Sequence, residues 1–376
     1  MAKGIYVGVD SKARKVKKAY VGVDSKARKV KKGYIGVGGI ARPFFSSDKK
    51  LNYYGTTTAL TTTVYYNAAT TVGDYALFGG GRVSAYTKAV DTYTSALVKG
   101  TATDLSQGRG YLVATTVGDY ALFGGGYAGS TTGKFATVDT YTSALVKGTA
   151  TNLTNATYNH AATSVGNYAL FAGGSKGSST YYATVDTYTS TLVKGTATDL
   201  SASRAYLAAT TVGDYALFGG GVSSYSTVDA YTSSLVKTTV AALSQARGYI
   251  SATSIGNYAI FAGGNAHNLG QVATVDTYDK NLVKGTAADL SAKRYEMAAT
   301  TVENEYAIFA GGHQTNNSGY SAVVDTYNKD LVKGVTTNLS KARGNFSATS
   351  IGNYAIFAGG YDGSTKYTTV DVYQTV

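Results

Sequence analysis

The sequence predicts an all-β chain: a closed ring of seven four-stranded blades, a β-propeller, preceded by a short basic β-repeat arm. The first observation is a repeat. The stretch Asn353-Tyr-Ala-Ile-Phe-Ala-Gly-Gly360 occurs seven times with small changes, and its phenylalanines Phe78, Phe123, Phe171, Phe218, Phe261, Phe309 and Phe357 stand 45, 48, 47, 43, 48 and 48 residues apart. A period in the forties that runs a short apolar strand into paired glycines is the mark of a blade. The second is a Val-Asp-x-Tyr segment, also present seven times, with its acid at Asp91, Asp139, Asp186, Asp229, Asp276, Asp325 and Asp371. The third is composition: 34 tyrosines and 46 glycines with one proline and no tryptophan suit short strands and tight turns rather than helices.

The chain opens on residues 1–43. Tyr6-Val-Gly-Val-Asp-Ser-Lys-Ala-Arg-Lys-Val-Lys-Lys-Ala19 is repeated almost unchanged from Tyr20 to Gly33, and a third copy starts at Tyr34 and breaks off at Arg42-Pro43. Each unit reads as a short β-segment, a turn at Asp-Ser-Lys and a lysine-rich extended segment. Nine lysines and three arginines face only Asp10 and Asp24 here, a net of +10, so almost all of the chain's +12 belongs to this arm. Residues 44–376 carry a net of only +2. The arm suits phosphate contacts with stacking tyrosines, attraction to an anionic surface, strand pairing with a neighbouring subunit, or a solvated tail. The near-identical β-patterned copies favour assembly, and a nucleic-acid partner is the weaker expectation.

The second domain expected is residues 44–376. In its last repeat Ala348-Thr-Ser-Ile351 is a first strand, Gly352-Asn353 a two-residue hairpin, Tyr354–Phe357 a second strand, and Val370-Asp-Val-Tyr373 a third. Complete repeats add a fourth strand, as in Leu282-Val-Lys-Gly-Thr286. The last repeat has no fourth, while Leu51-Asn-Tyr-Tyr-Gly-Thr56 aligns with one because Gly55 and Leu60 match Gly100 and Leu105. The N-terminal strand therefore completes the last blade and closes the ring, which removes open sheet edges.

The order of arginine, strand, Gly-Gly and hydrophobic-acid-x-Tyr strand resembles the kelch repeat family over about 330 residues. Arginines matching the family pattern are Arg109, Arg204, Arg247, Arg294 and Arg343, read as blade-to-blade struts or part of a binding rim; Val64 and Thr157 stand where the other two repeats would have one. Leu97, Leu145, Leu192, Leu235, Leu282 and Leu331 replace the tryptophan usual in the family's fourth strand. Some kelch-type propellers are copper oxidases with a cysteine-linked tyrosine; a chain without cysteine cannot build that centre.

Little else suggests catalysis. The glycine pairs lack a following Gly-Lys-Ser/Thr and recur seven times, so they serve close backbone approach rather than phosphate binding. The seven aspartates share one repeat position, which points to local hydrogen bonding. Glu296, Glu303 and Glu305 cluster in one repeat without a hydrolase-type carboxylate pair. His160, His267 and His313 lie in different repeats; His267 and His313, in the variable loops of adjacent blades, could approach one another and bind a metal, but no thiolate or acid pattern accompanies them. The expectation is a non-enzymatic protein with no cofactor and no metal. No stretch reaches the roughly 18 apolar residues of a membrane helix, so membrane insertion is not expected, and the N-terminus does not read as a signal peptide.

Variation among the repeats points to a binding face. The hairpin between first and second strands is nearly fixed, whereas the loop after the glycine pair changes in length and content, rich in Tyr, Asn, Ser and Lys. Candidate contacts there are Arg82, Tyr86, Tyr127, Lys134, Lys176, Tyr181, Tyr182, Tyr225, His267, Asn268, His313, Asn316, Tyr320, Tyr361 and Lys366. The expected ligand is a surface carbohydrate or protein, held by tyrosine stacking and amide hydrogen bonds. The 14-residue units of the arm resemble segments at the start of structural proteins of phages and prophage elements in Gram-positive bacteria. That resemblance implies a virion or phage-tail-like particle component (tail fibre, baseplate or receptor-binding decoration) whose arm docks on other particle subunits or on copies of itself. The alternatives are a bacterial kelch-type interaction scaffold, perhaps at the cell surface, and an enzyme using the central pocket.

Overall fold

The computed structural model describes residues 49–129, 133–222, 225–266, 269–314 and 319–376 in full, and the strand backbones within 6–46. The chain divides into two compact units, Met1–Lys50 with Val376, and Leu51–Thr375. In the first unit three antiparallel hairpins follow one another: Tyr6–Val9 with Lys12–Lys15, Ala19–Val23 with Lys26–Val30, and Lys32–Val37 with Ile40–Ser46. The first two follow the 14-residue repeat. The third carries Pro43 opposite Tyr34 on a two-stranded sheet, where an edge position tolerates the missing N–H.

The second unit is a ring of seven antiparallel four-stranded sheets. Blades 1 to 6 span 68–102, 113–150, 161–197, 208–240, 251–286 and 298–335, each with its strands in chain order from the centre outward. Blade 7 is built from Ser347–Ile351, Tyr354–Ala358, Val370–Thr375 and, as its outer strand, Leu51–Thr56. The ring thus closes by the N-terminal strand, with Gly55 opposite Val372 as Gly100 is opposite Thr92. The first strands neighbour one another in order around the axis, and the first strand of blade 7 meets that of blade 1.

Alternation explains the packing. In each second strand the Ala-Leu/Ile-Phe core is buried on both faces, because a blade is covered by a neighbour on each side. Among the described residues seven buried clusters form, one at each seam; between blades 1 and 2, Leu77 and Val90 meet Ala121, Phe123 and Tyr141. The seven Val-Asp-x-Tyr tyrosines are fully buried, and each hydroxyl donates to a carbonyl of the preceding inter-blade link, as Tyr141 does to Thr103 at 2.7 Å. Phenylalanine would fill the same space and leave that carbonyl without its donor. Nearer the axis, the Thr71, Thr116, Thr211 and Thr301 hydroxyls donate to carbonyls of the preceding blade's first strand at 2.6–2.8 Å.

Two local expectations are corrected. Leu97 and its five equivalents lie in the turn before the fourth strand, not in it, with φ near 60°, and the strands themselves begin at Lys99, Lys147, Lys194, Lys237, Lys284 and Lys333. The turn folds the leucine back into the seam, so it still fills the space at the blade edge. The seven aspartates do not bond locally either. Asp139 accepts from the Ser106 amide at 3.1 Å and hydroxyl at 2.5 Å, 33 residues earlier, and the other six accept likewise from Thr61, Thr154, Ser201, Ser244, Ser291 and Ser340.

Candidate functional site

The five arginines explain how one face of the ring is held. Arg109 is fully buried: its amide donates to Thr87 and its carbonyl accepts from Gly81, both in the loop of blade 1. Its guanidinium crosses to blade 2, donating to Asp139 at 2.8 Å and to the Phe123 carbonyl at 3.1 Å. Arg204 and Arg247 reach Asp229 and Asp276 at 2.8 Å, Arg343 reaches Asp371 at 2.7 Å, and Arg294 pairs with Asp325. A lysine of the fourth strand caps six of the seven aspartates from outside. Burial alone would raise the Asp139 carboxyl, but the Ser106 hydrogen bonds and the Arg109 charge outweigh it and hold it below the usual range. These arginines are struts; none is available to a rim.

Two residues after each strut position stand Tyr66, Tyr111, Asn159, Tyr206, Tyr249, Glu296 and Asn345. All seven adopt a left-handed backbone, φ 54–59°. They form a closed ring of hydrogen bonds, each amide donating to the carbonyl of its counterpart in the preceding blade: Tyr111 to Tyr66 at 3.0 Å, Asn159 to Tyr111 at 3.1 Å, and so on to Tyr66 to Asn345 at 2.7 Å. Left-handed tyrosine and glutamate cost about 1 kcal/mol or more each, so the ring persists because the closed bond circuit over-determines it. With the backbone so occupied, the channel mouth presents only side chains.

Those side chains line a depression of about 280 Å³ together with Asn67, Leu112, His160 and Met297 among others. Tyr66 stacks on Tyr111 with centroids 3.8 Å apart, and Tyr206 lies 4.1 Å from Tyr249. Burial pushes the phenols of Tyr66 and Tyr206 well up and that of Tyr111 to about 12, so all stay neutral donors. Glu296 is the mouth's carboxylate: burial raises its pKa to about 7, opposed by the Asn345 amide that donates to it at 2.9 Å. Asn67 and His160, both buried, have no hydrogen-bond partner among the described residues for either side-chain polar atom. Burial, with Arg109 nearby, lowers His160 to about 3, so it is neutral.

Aromatic contacts carry this mouth outward. From Tyr206 the chain of rings runs through Tyr249, Tyr295, His313, Tyr320, Tyr361, Tyr65, Tyr66 and Tyr111 to Tyr158, Tyr127 and Tyr86. Tyr65 stacks on Tyr361 at 5.1 Å and Tyr127 on Tyr158 at 5.0 Å. Beside this arc an open groove of about 620 Å³ lies between the loops of blades 1 and 2, walled by Arg82, Tyr86 and Tyr127. The Arg82 guanidinium sits 5.7 Å from the Tyr86 centroid.

The structure brings two groups of the sequence-predicted residues together, Arg82 with Tyr86 and Tyr127, and His313 with Tyr320 and Tyr361. Lys366 pairs with Tyr361, and the Lys134 ammonium donates to the Lys176 carbonyl at 2.6 Å, linking two loops. Tyr181 closes a short loop ribbon, Ser175–Gly177 with Thr180–Tyr181, while Tyr182 and Tyr225 are half-buried against the links. His267, Asn268 and Asn316 fall outside the described residues. The inner residues Tyr65, Tyr66, Tyr111, Tyr158, Tyr206, Tyr249, Tyr295 and Glu296 were not nominated from sequence. Their signal was present: the position two after Arg109, Arg204, Arg247, Arg294 and Arg343 varies among Tyr, Glu and Asn inside an otherwise constant repeat. Among the described residues no cluster of three or more metal-ligating His, Cys, Asp or Glu side chains occurs.

No protein-family model matches the chain, and no curated protein matches it in sequence. Among solved structures, that of YjhT aligns over 85% of this chain and 95% of its own with a TM-score of 0.56 at 13% identity. At that identity the likeness shows the propeller fold alone.

Proposed function

We propose that this protein is a non-enzymatic, kelch-like binding module that recognises a saccharide of a host cell surface across the tyrosine-rich face of its propeller. The observation that carries this reading is the continuous aromatic arc around the channel mouth. Sugar rings present C–H faces that stack on phenols and hydroxyls that bond amides and carboxylates, and this face combines tyrosines, Asn159, Asn345 and Glu296 within one depression. Tyrosine also supplies contact area at low entropic cost, since it has only two side-chain torsions.

The same proposal gives the arm a partner. Its basic hairpin repeats would join other subunits of a phage or phage-tail-like particle, leaving the propeller to face the host. What supports this is the arm's charge and its short, pairing-competent strands.

The test is saturable binding of the full-length protein to Gram-positive cells and to their purified wall glycans. Tyr206→Ala with Tyr249→Ala, and separately Tyr127→Ala and Tyr361→Ala, should weaken it at least tenfold with the circular dichroism unchanged. No saturable binding to cells or glycans, or binding indifferent to all of these substitutions, overturns the assignment of ligand and face. Binding that a protease treatment of the cells abolishes would move the ligand from glycan to protein.

A further inference from the structure

Blade 3 departs from its neighbours at one buried point. In five blades a guanidinium joins the third-strand aspartate to the phenylalanine carbonyl of the second strand, and in three of them also to the carbonyl of its first glycine: Arg247 bonds Asp276 and the Gly263 carbonyl at 2.8 Å, and Arg343 bonds the Gly359 carbonyl at 2.6 Å. Blade 3 has Thr157 at that position. A small internal cavity of about 10 Å³ remains there, lined by Asn155, Thr157, His160, Gly173, Thr184 and Asp186. It is the volume of about one water or one small ion.

We infer that this cavity is a site for one monovalent cation of sodium size, which stands in blade 3 where the guanidinium stands in five others. The donors are hard oxygens. Asp186 is 5% exposed; one carboxylate oxygen accepts from Lys194 at 2.8 Å and from the Thr154 hydroxyl at 2.5 Å, whereas among the described residues the other accepts only the Thr154 amide at 3.0 Å. In the arginine blades that second oxygen also takes the guanidinium. In blades 2, 4, 5 and 6 the site therefore holds one carboxylate against two cations, in blade 7 Tyr53 replaces the lysine beside Asp371 and Arg343, and blade 3 holds one carboxylate against Lys194 with no guanidinium. The Thr157 hydroxyl reaches the Gly173 carbonyl at only 3.3 Å, and both nitrogens of His160, 4% exposed, lack a partner among the described residues. One carboxylate with neutral oxygens suits a monovalent ion; divalent calcium or magnesium sites gather more charge and more ligands. Blade 1 also lacks the arginine, but there Val64 fills the position with an apolar side chain.

The experiment is thermal unfolding of the full chain in sodium chloride and in choline chloride at matched ionic strength. Sodium should raise the midpoint by roughly 2–4 °C at saturation, since only the folded state holds the site. Thr157→Val, which copies blade 1, should abolish the difference. Thr157→Arg combined with His160→Leu gives blade 3 the Arg–Leu pair of blades 2 and 4, and should raise the midpoint in choline while removing the sodium response. Equal midpoints in both salts would mean that the cavity holds only water and would overturn the inference. So would a sodium response that survives in Thr157→Val, because the ion would then bind elsewhere.

Discussion

The Tyr53 hydroxyl donates to Asp371 at 2.5 Å, bridging residues 318 apart at the point where the ring closes. In the other six blades a lysine of the fourth strand makes this contact, and Tyr53 lies opposite Tyr373 as Lys99 lies opposite Tyr93. Burial, with Asp371 beside it, pushes the Tyr53 phenol up to about 12, so it acts as a neutral donor throughout the working range.

Tyr53→Phe should therefore cost about 1–3 kcal/mol, the worth of a hydrogen bond to a charged acceptor. Tyr53→Lys should cost less than Tyr53→Phe, because it restores the pairing the other blades use. Urea midpoints of the two variants check this; a Lys variant weaker than the Phe variant would show that the tyrosine ring, 5.2 Å from Tyr373, matters more than its hydroxyl.

Arg204→Ala leaves Asp229 buried with Lys237, the Ser201 donors and a long contact from the Thr239 hydroxyl, and should destabilise the protein by about 3–5 kcal/mol. Adding Asp229→Asn to that variant should recover part of the loss, since the uncompensated charge goes with it. Denaturant titrations of the single and double variants measure the coupling.

Gly173 has φ +71°, and a Cβ there would lie 2.6 Å from the Arg204 carbonyl oxygen, which cannot move without opening the seam between blades 3 and 4. Gly173→Ala should cost at least about 2–3 kcal/mol, combining left-handed strain with that clash. Gly270, at φ +68° with nothing within 4 Å, isolates the backbone term; Gly270→Ala should cost only about 1 kcal/mol.

Glu296 makes stability fall toward alkaline pH. Its pKa of about 7 exceeds the unfolded value near 4.5, so the folded state keeps a proton that the unfolded chain has already released. This contribution is complete below about pH 4.5 and is lost as pH rises through 7; it amounts to about 1–3 kcal/mol. Asp139, Asp229, Asp276 and Asp325, held below their usual range, act in the opposite sense and weaken the fold as pH drops below the ordinary carboxylate range. Unfolding followed from pH 3 to 8 should show a maximum between these limits, with the alkaline decline absent in Glu296→Gln.

The ring architecture was legible because it is written seven times. Each glycine pair, each Val-Asp-x-Tyr and the displaced Leu51–Thr56 strand marks a position by repetition, so a misreading in one copy is corrected by the others. The long reach of the aspartates was not legible, since their partners Ser106 or Ser244 lie in links whose path only the packed ring defines. The channel mouth was hidden for a related reason. Its seven residues sit beside conserved-looking struts in the shortest, least variable part of the repeat, whereas attention to loop variation leads outward to Tyr127 and Tyr361. What places Tyr206 and Glu296 in one depression is the closed bond circuit, a property of all seven blades together.

The displaced strand also sets a schedule. Leu51–Thr56 leaves the ribosome early, yet its partner Val370–Thr375 follows only after six blades have been made, roughly 16–64 s later at about 5–20 residues per second. Until that partner is made the strand has no neighbour in blade 7 to pair with, and blades 1 and 6 have no blade 7 to cover the faces they turn toward it. Those faces cannot be sealed by any local contact. Tyr66 and Asn345 meet, and the mouth acquires its last two walls, only when Leu51–Thr56 and Val370–Thr375 find one another, so the channel mouth is completed in the same step that hides the unfinished edges.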